Sequence, residues 1–220
     1  MTINCSTNQA IPTMEVKAMP NIQVFGARGG HGATTLSLLL GRSMYSTVHD
    51  LARNGGFNVS DPTAEKYCSW SPVERTFEHS TTHAVYDCGT LDNLGGGSVA
   101  TNLPPWTEAI DLSVIVLRGP DYLGLRSIVK HKERYDNNNF VVMVVEEDGR
   151  ALTKSDAELV TGLPTFSMSH SAGIARANDS GLIARNSPAT GATKIAFHEI
   201  GIMLIAMFPD VMRAATKGTL

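Results

Sequence analysis

Short apolar runs alternate with amphipathic stretches along most of this chain. Asn21 to Gly26 (N-I-Q-V-F-G) predicts a first strand, and Thr34 to about Arg53, with Leu36, Leu39 and Leu40 on one face, predicts the helix after it. Gly55-Gly56 ends that helix, and Phe57 to Asp61 predicts a short second strand closed by Asp61-Pro62. Ala64 to Glu78 reads as helical and His83 to Asp87 as a strand, followed by a loop rich in glycine at Gly95, Gly96 and Gly97. Leu112 to Leu117 (L-S-V-I-V-L) has the β-branched content of a strand buried on both faces, and Phe140 to Val145 repeats it after a helix expected over Asp121 to Tyr135. Leu163 to Met168 predicts one more strand. Late in the chain Ile195, Ile200, Leu204 and Phe208 recur at helical spacing and read as core or dimer packing.

This order predicts an α/β fold, a single doubly wound, mainly parallel sheet flanked by helices. Residues 1–20 are polar, with two prolines, and predict a flexible N-terminal extension; residues 21–220 form the expected domain. A chain of 220 residues with 42% hydrophobic content supports one good core.

Charge and cysteine content narrow the function classes. The net charge of −3 marks no polyanion binder, but from residue 150 onward seven Lys/Arg face five Asp/Glu, whereas eleven face sixteen before it. A weak nucleic-acid surface in the last third is compatible with that asymmetry. Cys5, Cys68 and Cys88 lack the spacing of a disulfide framework or a zinc site, and Cys88 reads as a small core residue. No stretch has the composition of an export signal or a membrane span, so a cytoplasmic protein is expected.

The candidate chemistry lies in Gly26 to Thr35, G-A-R-G-G-H-G-A-T-T, between the first strand and the first helix. It follows the phosphate-loop pattern G-x-x-x-x-G-K-[ST], in which glycines free backbone N–H groups to wrap a phosphate, lysine reaches the β- and γ-phosphates and a hydroxyl meets magnesium. Gly29, Gly30, Gly32, Thr34 and Thr35 keep the cradle and the hydroxyls; Ala33 stands at the lysine position. His31 occupies a variable position and is expected to face solvent. Ligands of doubly wound sheets bind beyond the carboxyl ends of the strands, which makes Asp87, at the tip of H-A-V-Y-D-C-G-T, the expected magnesium-side carboxylate. Asp61-Pro62 reads equally as a strand-ending turn and as a functional carboxylate.

With these residues in order, the chain resembles the ParA/MinD group of deviant-Walker P-loop ATPases, whose loop reads K-G-G-x-G-K-[ST]-[ST]. Arg28 to Thr35 matches that loop, Asp61-Pro62 its acidic second-strand motif, and Y-D-C-G-T its Walker B strand. The run from Ala109 to Ser127 resembles the strand and helix that follow in the family, and Ile174 to Arg185 resembles a late segment of actinobacterial and phage-encoded members. The resemblance implies a P-loop NTPase-like domain over 21–220, ATP with magnesium, a homodimer, non-specific DNA as a track and a ParB-like or other cargo adaptor; with DNA bound, the protein would be nucleoid-associated. A membrane-associated regulator of the MinD kind ranks last and no membrane attachment is expected, because the tail V-M-R-A-A-T-K-G-T-L lacks a strongly basic amphipathic helix. The resemblance implies that Arg28 acts across a dimer, that Gly29, Gly30, His31, Gly32, Ala33, Thr34 and Thr35 surround the phosphates, that Thr34 and Asp87 hold magnesium and that Asp61 orients the attacking water. Arg176, Arg185 and Lys194 would meet DNA phosphates, or simply form a solvated face.

The departures fall on the chemistry. Arginine at 28 keeps the charge of the family's first lysine with a different geometry, and alanine at 33 loses the second. Two readings follow: a partition or positioning protein with weak or absent hydrolysis, and a pseudo-nucleotidase scaffold or self-assembling adaptor without catalysis. The glycine run at 95–97 reads as a mobile loop or a nucleotide-sensing switch.

Overall fold

In the computed structural model, residues 20–44, 46–51, 68–69, 83–91, 110–119, 121–134, 139–179 and 190–211 are described. Strand β1 (Ile22–Gly26) occupies the centre of the sheet. It leads into helix α1 (Ala33–Met44), strand β2 (Thr47–Asp50) and a two-residue edge strand β3 (Cys68–Ser69). Then follow β4 (Ala84–Thr90), β5 (Leu112–Arg118), α2 (Tyr122–Lys130), β6 (Phe140–Glu146), α3 (Lys154–Thr161), β7 (Thr165–Ser169), α4 (Ala172–Asp179) and α5 (Gly191–Met207).

The seven strands lie in the order β3-β2-β4-β1-β5-β6-β7, and every pairing is parallel. Strand periodicity explains how one run of apolar residues serves two helical layers. Val114, Val116, Val141 and Met143 point to the face covered by α1, α4 and α5, where they meet Leu36, Leu40, Ile174, Ile200 and Met203. Ile115, Leu117, Val142 and Val144 point to the other face and meet Leu125, Ile128 and Ala157 of α2 and α3. The expected doubly wound α/β sheet is therefore present.

Three local expectations are corrected. The first helix stops at Met44 instead of running to about Arg53, and Thr47–Asp50 form a strand beside β4. Gly41 explains the early return: a Cβ there would strike Val48, so its absence lets β2 pack directly on α1, and the Ser46 N–H closes the helix end on the Gly41 carbonyl at 2.9 Å. Second, Cys68–Ser69 pair with β2 rather than lying in a helix; the rest of the expected helix over 64–78, and the strand expected over 57–61, lie outside the described residues.

Third, α3 lies in a region assigned no element from sequence. Its signal was available in Thr153 and Asp156, which form a reciprocal capping box, and in Gly162, which ends the helix at φ 71°. Of the late apolar set, Ile200 and Leu204 are buried and Phe208 packs against the core, whereas Ile195 is exposed. No helix among the described residues is long and apolar enough to cross a membrane.

Candidate phosphate-binding site

At the carboxyl end of β1 the chain must turn from the middle of a sheet into a helix within six residues. Gly30 (φ 81°) and Gly32 (φ 97°) adopt left-handed conformations that side chains resist, and a Cβ on either would meet nothing within 4 Å, so backbone conformation rather than crowding calls for glycine. The Ala27 N–H ties the loop to the Val116 carbonyl of β5 at 2.8 Å, and the Leu36 N–H bonds to the Gly32 carbonyl at 2.9 Å as α1 begins. The first amides of α1 thus open toward a concavity of about 430 Å³, walled by the loop from Arg28 to Thr35 and by Gly89-Thr90.

Thr34 stands on the first turn of α1 and its hydroxyl donates to Asp87 Oδ2 at 2.5 Å, while the Gly89 N–H donates to Oδ1 at 3.1 Å. Asp87 is fully buried, and burial, opposed by these two hydrogen bonds and reinforced by the negative charge of Asp50, pushes its pKa up to about 6. Asp50, 1% exposed, lies opposite Asp87 in the register of β2 and β4. Two registered carboxylates and a hydroxyl form an all-oxygen donor set of the kind hard divalent cations take. By that donor chemistry these residues fit a magnesium ion.

Asp50 was missed from sequence because Thr47 to Asp50 was read as helix. A signal existed: T-V-H-D ends in the same apolar-then-aspartate pattern as H-A-V-Y-D.

His31 is corrected from solvent-facing to buried, with 8% of its surface exposed. Its ring tucks under the start of α2, where Nε2 lies 3.4 Å from Asp121 Oδ2, and Asp121 Oδ1 accepts the Gly124 N–H as the cap of that helix. Gly124 makes the room, since a Cβ there would lie 2.9 Å from His31 Cε1. Burial lowers the His31 pKa; Asp121 opposes this, while the charges of Arg28 and Arg118 add to it.

Ala33 is buried at the head of α1 and belongs to the apolar core, and Thr35 is half-buried at the loop. Gly29 and Arg28 are exposed at the rim. Cys88 is buried, and burial pushes its thiol well above the usual range, which fits the packing role read from sequence. Arg176 and Lys194 lie exposed on α4 and α5, away from the loop concavity's lining. Asp61, Arg185 and the glycine run at 95–97 lie outside the described residues.

A second cleft of about 220 Å³ shares Gly30, His31, Gly32 and Thr35 with the first and extends past the ends of β5, β6 and β7. Met168, Ile174 and Val145 give it apolar walls, and Ser169, His170 and Asn178 give it polar ones. A polar glycine cradle continuous with a partly apolar cleft suits a ligand with a phosphate end and a ring end.

No protein-family model and no curated protein sequence matches this chain. Among solved structures, the chain is similar to a ParA family ATPase from Chlorobium tepidum TLS, with 14% identity, a TM-score of 0.57, and coverage of 82% of this chain and 97% of that one. The fold is ParA-like. At this identity the likeness concerns the ParA-like P-loop fold, and the site must be argued from its own residues.

Proposed function

We propose that this chain is a ParA-like partition or positioning protein that binds ATP with magnesium, dimerises on binding it, and uses non-specific DNA as a track. The observation that carries the reading is the Thr34–Asp87 hydrogen bond at the head of a glycine loop, in a fold shared with a ParA family ATPase. In this reading the loop is a deviant Walker A. The amides around Gly30 and Gly32 cradle the phosphates, and Thr34 and Asp87 hold the metal. Bound magnesium would neutralise charge developing on the phosphates. The resemblance assigns the orientation of the attacking water to Asp61. Arg28, exposed at the rim, is free of the packing that would stop it reaching a partner's phosphates.

Ala33 sets the expected catalytic level. Losing one donor to transition-state charge costs on the order of 100- to 1,000-fold in rate, so binding outlasts turnover. That same residue favours the second reading, a pseudo-nucleotidase scaffold that assembles without hydrolysis. Calorimetry with ATP and magnesium, paired with phosphate release, tests both. Binding with slow release supports the first reading, binding without release the second, and no binding at millimolar ATP overturns the first.

A further inference from the structure

Ala33 removes a cation from the cradle, and the structure offers another. Arg118 ends β5, the strand hydrogen-bonded to β1, and lies two residues past Val116, the register partner of Gly26 and the acceptor for the Ala27 N–H. It lines the second cleft together with Gly30 and Gly32. Among the described residues, no Asp or Glu lines either that cleft or the loop concavity, and the arginines that do are Arg28 and Arg118.

The Arg118 side chain is held rather than loose. Its Nε donates to Glu147 Oε1 at 2.6 Å and its Nη2 lies 3.3 Å from His170 Nε2. Glu147 is shared: its Oε2 also accepts from Arg150 Nε at 3.0 Å and Nη2 at 2.6 Å. One carboxylate between two guanidiniums leaves a net positive charge, and Arg118 keeps donors to spare because a guanidinium carries five. Its side chain is 45% exposed, so solvent and ligand reach it. The positive charges of Arg118 and Arg28 both act on His31 within the loop.

We propose that Arg118 binds the phosphate chain of the ligand from the β5 side of the loop, supplying the positive charge that Ala33 cannot. The same cleft also has apolar walls from Met168 and Ile174, which suit the ring end of the ligand, while Arg118 suits its anionic end. Glu147 is a positioning residue that fixes the guanidinium. This inference rests on the nucleotide reading for its natural ligand, but its anion chemistry is testable alone.

The test measures binding of ATP with magnesium, tripolyphosphate and adenosine to the parent chain, Arg118→Gln, Arg118→Lys, Ala33→Lys and the Ala33→Lys/Arg118→Gln double variant. Arg118→Gln is expected to weaken ATP and tripolyphosphate about tenfold or more, as loss of a charge-assisted hydrogen bond does, and to leave adenosine unchanged. Arg118→Lys should recover part of the loss, and Ala33→Lys should make the Arg118→Gln change milder. Unchanged ATP affinity in Arg118→Gln overturns the inference and leaves the nucleotide reading standing. Equal losses for ATP and adenosine overturn it too, by assigning Arg118 to the fold or the ring end. Tripolyphosphate binding that depends on Arg118 in a chain that ignores ATP would support the inference and sink the nucleotide reading. A parent chain that binds neither anion overturns both.

Discussion

Asp50 and Asp87 stand side by side in register at the carboxyl ends of β2 and β4, both almost wholly buried, with Thr34 donating to the second. This arrangement places two negative charges where water cannot screen them. Folding therefore favours protonation of Asp87, whose pKa rises from 3.8 to about 6. A carboxyl raised in the folded state contributes its stability below the unfolded pKa and loses it as pH climbs through the folded one. Between about pH 4 and pH 6 the loss amounts to about 3 kcal/mol at 1.36 kcal/mol per pKa unit. Thermal or urea unfolding across this window should show the decline, and magnesium should reverse it above pH 6. Asp87→Asn should flatten the profile; an unchanged slope in that variant would exclude Asp87 as its source.

His31 and Gly124 are coupled by space. Adding a methyl at 124 places a Cβ 2.5 Å from Leu117 Cδ1 and 2.9 Å from His31 Cε1. Glycine to alanine inside a helix ordinarily stabilises by roughly 0.5 to 1 kcal/mol. Here crowding should dominate, and Gly124→Ala is expected to destabilise by about 1 to 3 kcal/mol. In a His31→Ala background the cost should shrink, because one of the two obstructing groups is gone. A double-mutant cycle from urea midpoints measures this coupling, and strict additivity would remove the contact from the account.

The same pair shows why some of the molecule was legible and some was not. Leu112 to Leu117 and Phe140 to Val145 announce themselves because a strand between two helical layers must be apolar at every position. The phosphate loop was equally legible, since its glycines and Thr34 sit at fixed offsets. His31 was not, because burial of a loop side chain depends on Gly124, far away in sequence and lacking a Cβ. Asp50 was hidden for a related reason: Gly41 lets β2 fold back onto α1, and a continuous helical reading ran over the strand. Arg118 lies in the run from Ala109 to Ser127 that resembles the family only as a strand and helix, and its relevance comes from β5 lying beside β1.

Lysine at position 33 tests the cradle directly. The glycine turn, Thr34 and Asp87 are in place, and Ala33 borders the concavity as well as the core. Ala33→Lys should raise ATP affinity about tenfold or more, in line with one charge-assisted contact, and calorimetry reads it. No gain would mean that the added chain cannot leave the core for the concavity.

Arg28 lies exposed at the loop rim, open to a second copy of the chain. If it bridges to a partner's phosphates, Arg28→Ala should lower the ATP-dependent dimer fraction while leaving monomer stability within about 0.5 kcal/mol, as for other surface changes. Light scattering at matched concentrations checks the first and thermal unfolding the second. Identical masses with ATP would end the bridging role.

Duplex DNA provides the last test, motivated by the cation excess after residue 150. Arg176 on α4 and Lys194 on α5 are both exposed, and the two helices meet where Gly173 approaches Ala192, at 3.1 Å from the position a Cβ would take. Two cations on adjoining helices, with Arg185 in the intervening chain, can meet backbone phosphates but carry no means of reading bases. Binding should therefore be independent of sequence and fall with salt at a log–log slope of roughly −0.9 per phosphate neutralised. Arg176→Ala, Arg185→Ala and Lys194→Ala should each weaken it and make that slope shallower by about one. A dimer brings two such weak surfaces to one duplex, so ATP should strengthen binding through effective concentration. Mobility shifts on long duplex at low and 0.5 M salt, with and without ATP, measure all of this. No shift at low salt in either state would remove the DNA track and leave the scaffold reading in front.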